Sequence, residues 1–322
     1  MKTFRVLLTI LHLVLLVLLY GTLLNAVIAP EKFGFLNLLS LFFPIGMVLY
    51  VLICFFWILL RQKRVIIFLF LPIFLIPSVQ RWLQFSTNKE TIPTLKILTF
   101  NIKSSKIGED KIPEFIQSQK ADLVLLQEEN PDFTLKNYQQ AKFYIMSIYS
   151  KYPIVKTGAL FEGVGNSVFA DVKIRGKMYR IINIYLEPFA LEKEKMEELE
   201  QLGSEEHHFG YFLGKLIPNF KTHQKQVEAV EKCVQESPYP VILAGDFNAV
   251  PNSYEYYHLV SGLQDAFVEV GSGSATSFRD YWFPLRIDYV FTSKNIQPVR
   301  YLVHRNVALS DHYPVTAEFT LQ

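Results

Sequence analysis

VILAGDFNAVPNS, residues 241–253, carries an apolar run to an aspartate, sets an asparagine two positions later and enters a proline-marked turn. The run reads as a buried strand and Gly245 as the point that lets the chain approach a cleft. Asp246 and Asn248, on one side of an extended chain, read as polar groups delivered to the strand's end. The same pattern recurs in LKILTF (95–100), ADLVLLQ (121–127), YRIINIYL (179–186), IDYVFT (287–292) and VTAEFTL (315–321), several apolar enough to be covered on both faces. Helical spacing of Ile112, Phe115 and Ile116 predicts a helix over 109–119, and a second is expected over 222–236. There Val227, Val230 and Cys233 share one face, a core position for the cysteine.

These strands end in acids, amides or a histidine: Asn101, Glu128, Asp246 with Asn248, Asp288, and Asp311 with His312. One acid after a strand is ordinarily a turn former or a helix cap. A whole set is different, because strand ends along one edge of a layered domain share a surface cleft.

The blocks TFNIK, LLQEE, GDFNAVPNS, RIDYVF and SDHYPV, in this order over about residues 95–320, resemble the signature blocks of the endonuclease/exonuclease/phosphatase superfamily. GDFN and SDH, some sixty residues apart with RIDY between, are the specific part. The resemblance implies an α/β fold, the four-layer αββα sandwich of DNase I-like proteins, and divalent-metal-dependent cleavage of phosphate esters. It makes Glu128 the principal carboxylate ligand for Mg2+, or Mn2+, with Asn101 and Asp311 close to the metal. It places Asp246 at the attacking water, Asn248 as a donor to a phosphoryl oxygen, and Asp288 with His312 as a hydrogen-bonded pair. Hard oxygen ligands without a His/Cys cluster agree with magnesium or manganese. Where many relatives carry a histidine, NIYLEP has Tyr185, which can donate a hydrogen bond but carries no positive charge near neutral pH. Asn183 is expected to pack or to satisfy backbone. Strand alternation leaves Glu129 as a solvated or loop carboxylate. His223 is expected at the surface or as a cap, and His207 and His208 as solvated.

Ahead of this domain the sequence is of another kind. Half of all residues are hydrophobic, and the apolar excess lies before Trp82. Residues 4–28 and 35–60 are long enough to cross about 30 Å of hydrocarbon, and apart from Arg5 neither carries a charge. A third run, 65–85, is interrupted by Pro72 and Pro77. The expected organisation is an anchor of about three transmembrane helices over 1–85, a linker at 86–94 and a catalytic domain at 95–322. A cleaved signal peptide is the alternative for the first run, whose apolar core exceeds the usual length. Lys2 and Arg5 before the first span and RQKR (61–64) after the second place both in the cytoplasm. With three spans the catalytic domain emerges outside the cytoplasm, on a multi-pass membrane protein; with two, that orientation reverses.

Seven of the 32 Lys/Arg and one of the 30 Asp/Glu precede residue 86, so the remainder holds 25 basic and 29 acidic residues, a formal charge near −4. That lacks the basic footprint of a chain held to nucleic acid by charge. Three functions are compatible with the residues: a tethered phosphoesterase acting on a lipid headgroup or small phosphate ester, an extracytoplasmic nuclease, and a non-catalytic binding module, against which the intact polar blocks argue. The expected partners are the lipid bilayer and the phosphate-ester substrate, with no obligate protein partner evident. Between the strand at 179–186 and the next helix, Met196, Leu199 and Leu202 share one face of a charged helix. The cluster FGYFLGKLIPNF that follows reads either as a lid on its own domain or as a segment resting on the bilayer.

Overall fold

The computed structural model describes residues 2–87, 89–103, 111–130, 132–161, 167–188, 205–280, 283 and 285–321, with backbone alone for 205–213. In chain order the strands are β1 (Leu83–Phe85), β2 (Leu95–Asn101), β3 (Leu123–Gln127), β4 (Gln139–Phe143), β5 (Met146–Ser150), β6 (Ile154–Ala159) and β7 (Val168–Ile174). They continue as β8 (Lys177–Tyr185), β9 (Val241–Asp246), β10 (Leu263–Asp265), β11 (Ser272–Ser274), β12 (Asp288–Ser293), β13 (Ile296–Val303) and β14 (Val315–Leu321).

Two six-stranded sheets result, in the orders β13-β14-β2-β3-β5-β4 and β10-β12-β9-β8-β7-β6. Period-two alternation sorts their side chains into three apolar layers. Leu95 and Ile97 of β2 meet Ile242 and Ala244 of β9 between the sheets, whereas Leu98 and Phe100 turn outward onto Ile112 and Ile116 of the helix Lys111–Ser118. Leu243 of β9 turns outward onto Val227 and Val230 of the helix Glu205–Gln235. This is the expected αββα layering, with Cys233 buried as expected. Asn183 ties the sheets together: its Nδ2 donates to the Leu126 and Ser147 carbonyls at 2.9 Å each, and its Oδ1 accepts from Gln127.

Eight of the fourteen described strands escape the sequence pattern. β4 (QQAKF) and β6 (IVKTGA) are outer strands whose side chains are mostly exposed or half-buried, and β13 contains Pro298 beside a register shift. The helix expected at 222–236 is the last part of one 31-residue helix, which runs through Pro218. The expected helix at Met196–Leu202 lies outside the described residues.

The N-terminal apolar region departs from expectation in its third run. Among the described residues, Lys2–Ala26 and Phe35–Leu59 are the two helices long and apolar enough, by length and composition, to cross a membrane. Residues 65–85 form no single span. They break into the helix Val65–Phe70, a 3-10 turn Leu71–Leu75 and the helix Ile76–Gln80, with Pro72 and Pro77 each starting a new piece. The run then ends in β1, which pairs with β11. The expected linker is likewise hydrogen-bonded along the domain, Ser86 N to Gly271 O at 3.0 Å and Thr94 N to Phe319 O at 2.8 Å.

Of the cluster FGYFLGKLIPNF the side chains of 209–213 lie outside the described residues; Leu216 and Phe220 pack against Leu38 and Leu41 of the second apolar helix. Side chains of His207 and His208 lie outside the described residues.

Candidate active site

β2 runs parallel to β3 and β8 parallel to β9, while β12 and β14 run antiparallel to β9 and β2. The C-terminal ends of the four parallel strands therefore share one edge with the N-terminal ends of β12 and β14. That edge is where the polar residues of the motifs fall.

Glu128 follows β3 with φ 51°, a left-handed backbone that few non-glycine residues adopt and that ends the strand at the cleft. Its Oε1 accepts from Asn101 Nδ2 at 2.9 Å and from the Tyr185 hydroxyl at 3.0 Å. Burial first, then the charges of Glu128 and Asp246, push the Tyr185 phenol far up, so it stays a neutral donor. The same Asn101 Nδ2 reaches Asp246 Oδ2 at 3.0 Å, and its Oδ1 accepts from Lys103 N at 3.0 Å. Asn101 thus turns a donor, not its oxygen, to the two carboxylates.

Asp246 ends β9 fully buried and also accepts the Asn248 N–H at Oδ1, at 2.8 Å. Burial pushes its carboxyl up to about 7, assisted by Asp288 and opposed by His312. The extended geometry expected for Asn248 is not found, because Asn248 lies at φ 44° with the strand already ended. Its side-chain Nδ2 donates to Leu186 O at 2.9 Å. Gly245 is required by a close approach to β8: at φ 141°, an added Cβ would meet Ile184 O at 2.1 Å.

His312 Nδ1 lies 2.9 Å from Asp288 Oδ2, and Nε2 lies 3.7 Å from Asp246 Oδ2. Burial opposes the imidazolium, but Asp288 and Asp246 outweigh it and hold the ring up to about 10. Phe278 meets the ring edge-on at 5.0 Å, and Ser277 Oγ takes the N–H groups of Ile287 and Asp288.

Asp311 faces Lys103 Nζ, with Asp280 4.0 Å from that ammonium. Burial favours the neutral carboxyl of Asp311, yet Lys103 and His312 hold it below the usual carboxylate range. Lys103 carried no expected role, although it stands two residues after Asn101 in TFNIK. Glu129 corrects another expectation. It is fully buried, with Oε1 2.6 Å from Lys142 Nζ, because the hairpin joining β4 and β5 folds over it. His223 is also fully buried, between Glu255 and the Glu187 carbonyl, and not at the surface.

The donors fit a hard divalent cation. Among the described residues Glu128 Oε2 carries no hydrogen bond, on a carboxylate that is partly accessible. Asp246, Asp288 and His312 form a second group whose ligand atoms lie within 4.8 Å of one another, but there the imidazole is already engaged by Asp288. Oxygen donors of this type suit magnesium or manganese over zinc.

A model of the Endonuclease/Exonuclease/phosphatase family matches residues 98–312, and one described as a domain of unknown function matches residues 5–82. No curated protein matches the chain. D. rerio TDP2 complexed with single strand DNA product is similar in structure, at TM-score 0.53 and 16% identity over 70% of this chain and 98% of that one. The human Nocturnin catalytic domain with bound sulfate gives 0.52 and 16% over 71% and 94%. The 3' phosphatase NExo from Neisseria, bound to product DNA hairpin, gives 0.50 and 20% over 70% and 100%. At these identities the likeness is one of fold.

Proposed function

Because this chain belongs to the endonuclease/exonuclease/phosphatase family and is a hydrolase of phosphate ester bonds, we propose that it is a membrane-anchored phosphoesterase using magnesium or manganese, with a phosphate ester at the membrane surface, a lipid headgroup, as substrate. The observation that carries this reading is the convergence at one cleft edge of Glu128, with one open carboxylate oxygen, Asp246, and the Asp288–His312 pair.

Glu128 would hold the cation, with Asn101 and Asp311 beside it. A bound divalent cation supplies charge neutralisation at the phosphoryl oxygens. Asp246 orients the attacking water and takes its proton. His312, oriented by Asp288, donates from Nε2 to a phosphoryl oxygen, where fixed donors count most as negative charge develops. Asn248 keeps a second amide hydrogen for the phosphate beyond the one given to Leu186. Tyr185 holds Glu128 in place.

Placement at a membrane is supported by the distance from site to anchor. Six residues on from Asp246, at most about 20 Å of chain, the Asn252 carbonyl accepts from Asn25 at the end of the first long apolar helix and from Ser40 near the start of the second. Arg64 instead donates to Thr9, toward the other end of the bundle. If the bundle spans a bilayer with the basic RQKR end in the cytoplasm, the catalytic domain would lie on the opposite face, the broken run Val65–Gln80 leading back along the bundle without forming a span of its own.

Full-length protein in lipid nanodiscs is expected to hydrolyse bis-nitrophenyl phosphate and phospholipid or sphingomyelin headgroups with magnesium, and to stop with EDTA. Unchanged turnover in Asp246→Asn would overturn the mechanism. Cleavage of plasmid DNA with steep salt dependence, and no headgroup release, would support the nuclease reading instead. Two similar structures are complexes with DNA, but an acidic balance after residue 86 does not favour that substrate.

A further inference from the structure

The contact between anchor and catalytic domain is polar where it approaches the site. Asn37, in the first turn of helix Phe35–Leu59, accepts the Tyr254 N–H at 2.8 Å and donates to both oxygens of Glu255 at 2.9 and 3.2 Å. Glu255 Oε1 lies 2.8 Å from His223 Nδ1, and His223 Nε2 lies 2.6 Å from the Glu187 carbonyl. Since a carbonyl only accepts, Nε2 is the donor. Glu187 stands two residues after Tyr185, and the Leu186 carbonyl between them takes Asn248 Nδ2. A chain of hydrogen bonds therefore runs from the start of the second apolar helix to the exit of β8 and to a side chain of the GDFN block.

All three polar members, Asn37, Glu255 and His223, are buried, the last two completely. Docking alone does not call for them, because Leu38, Leu216 and Phe220 already supply an apolar contact beside them. A buried polar network is costly unless every member is satisfied, and when satisfied it fixes one geometry in a way that packing of aliphatic groups does not. The parallel hold on Asn252, whose Oδ1 also accepts from Arg81 at 3.0 Å, pins the loop after Asn248 from the same side.

We propose that Asn37, acting through Glu255 and His223, is a positioning residue for Tyr185 and Asn248, so that the start of the second apolar helix is part of the support of the active site. The proposal rests on the site assigned above.

The test uses full-length protein in detergent micelles, with magnesium and bis-nitrophenyl phosphate as probe. Asn37→Ala is expected to lower kcat about 10- to 100-fold with KM changed less than about twofold, the size of effect a small misplacement of reacting groups produces. Leu38→Ala, which removes apolar contact only, is expected to leave kcat unchanged. His223→Gln combined with Asn37→Ala is expected to be no slower than the slower single variant, because both cut one chain. Amide hydrogen exchange of Asn37→Ala is expected to rise at 185–188 and 246–255 and to stay unchanged in β13 and β14. Additive losses in the double variant, or unchanged exchange at both segments, would overturn the proposal. If the wild-type protein cleaves no phosphate ester, the functional reading fails, and the exchange measurement alone still decides the coupling.

Discussion

Tyr185 and Asn101 donate to the same oxygen of Glu128, at 3.0 and 2.9 Å, from strands belonging to different sheets. Among the described residues, these two donors on Oε1 hold the carboxylate with no hydrogen bond at Oε2. Tyr185→Phe removes one donor and little volume, so the expected outcome is a rise of about 3- to 10-fold in the magnesium concentration for half-maximal activity, on the scale of one hydrogen bond to a charged group. A magnesium titration of the initial rate checks it, and an unchanged midpoint would remove Tyr185 from the site.

Asp288→Asn keeps the size of the side chain but withdraws the charge that orients and charges His312. The expected loss in kcat is about 100-fold or more, with KM nearly constant, since in the proposed mechanism the pair acts on the developing charge. Steady-state kinetics at saturating magnesium decide it.

Gly245→Ala places a methyl group where Ile184 O already stands, on a backbone that L side chains rarely adopt. Strand pairing of β8 with β9 must shift, and a destabilisation of about 3 kcal/mol or more is expected. Thermal unfolding followed by circular dichroism measures this, and a melting temperature within a degree or so of wild type would contradict the close approach.

His304 lies between Thr316 and Phe115, where burial first and Lys96 second lower its imidazole to about 4. Its folded value lies below the unfolded one, so the stability it permits is complete above about pH 6.5 and is lost as pH falls toward about 4. Because the ring is partly exposed, the loss is about 1–2 kcal/mol. His304→Gln, which can still donate to Thr316, is expected to flatten the decline of melting temperature between pH 6.5 and 4; an equal slope would assign the acid sensitivity elsewhere.

How far the site was legible follows from these residues. Asp246, Asp288 and His312 stand at the ends of strongly apolar strands or in the specific blocks, so composition and order along the chain mark them. Glu129 and His223 have the opposite history. Each occupies a position whose local pattern predicts exposure, and each is buried because a distant charged or polar group, Lys142 or Glu255, folds onto it. Such partners are 13 and 32 residues away, and no local pattern encodes the pairing.

The sequence alone determined the two long apolar helices, the strands β2, β3, β8, β9, β12 and β14 and the residues at their ends, because hydrophobic period and turn chemistry are local properties. Only the tertiary structure decided the division of the third apolar run, the left-handed exits at Glu128 and Asn248 and the hydrogen-bonded union of the second apolar helix with the edge that carries the candidate site. Those features depend on which buried polar groups find partners across long separations in the chain, and that is settled by packing in three dimensions.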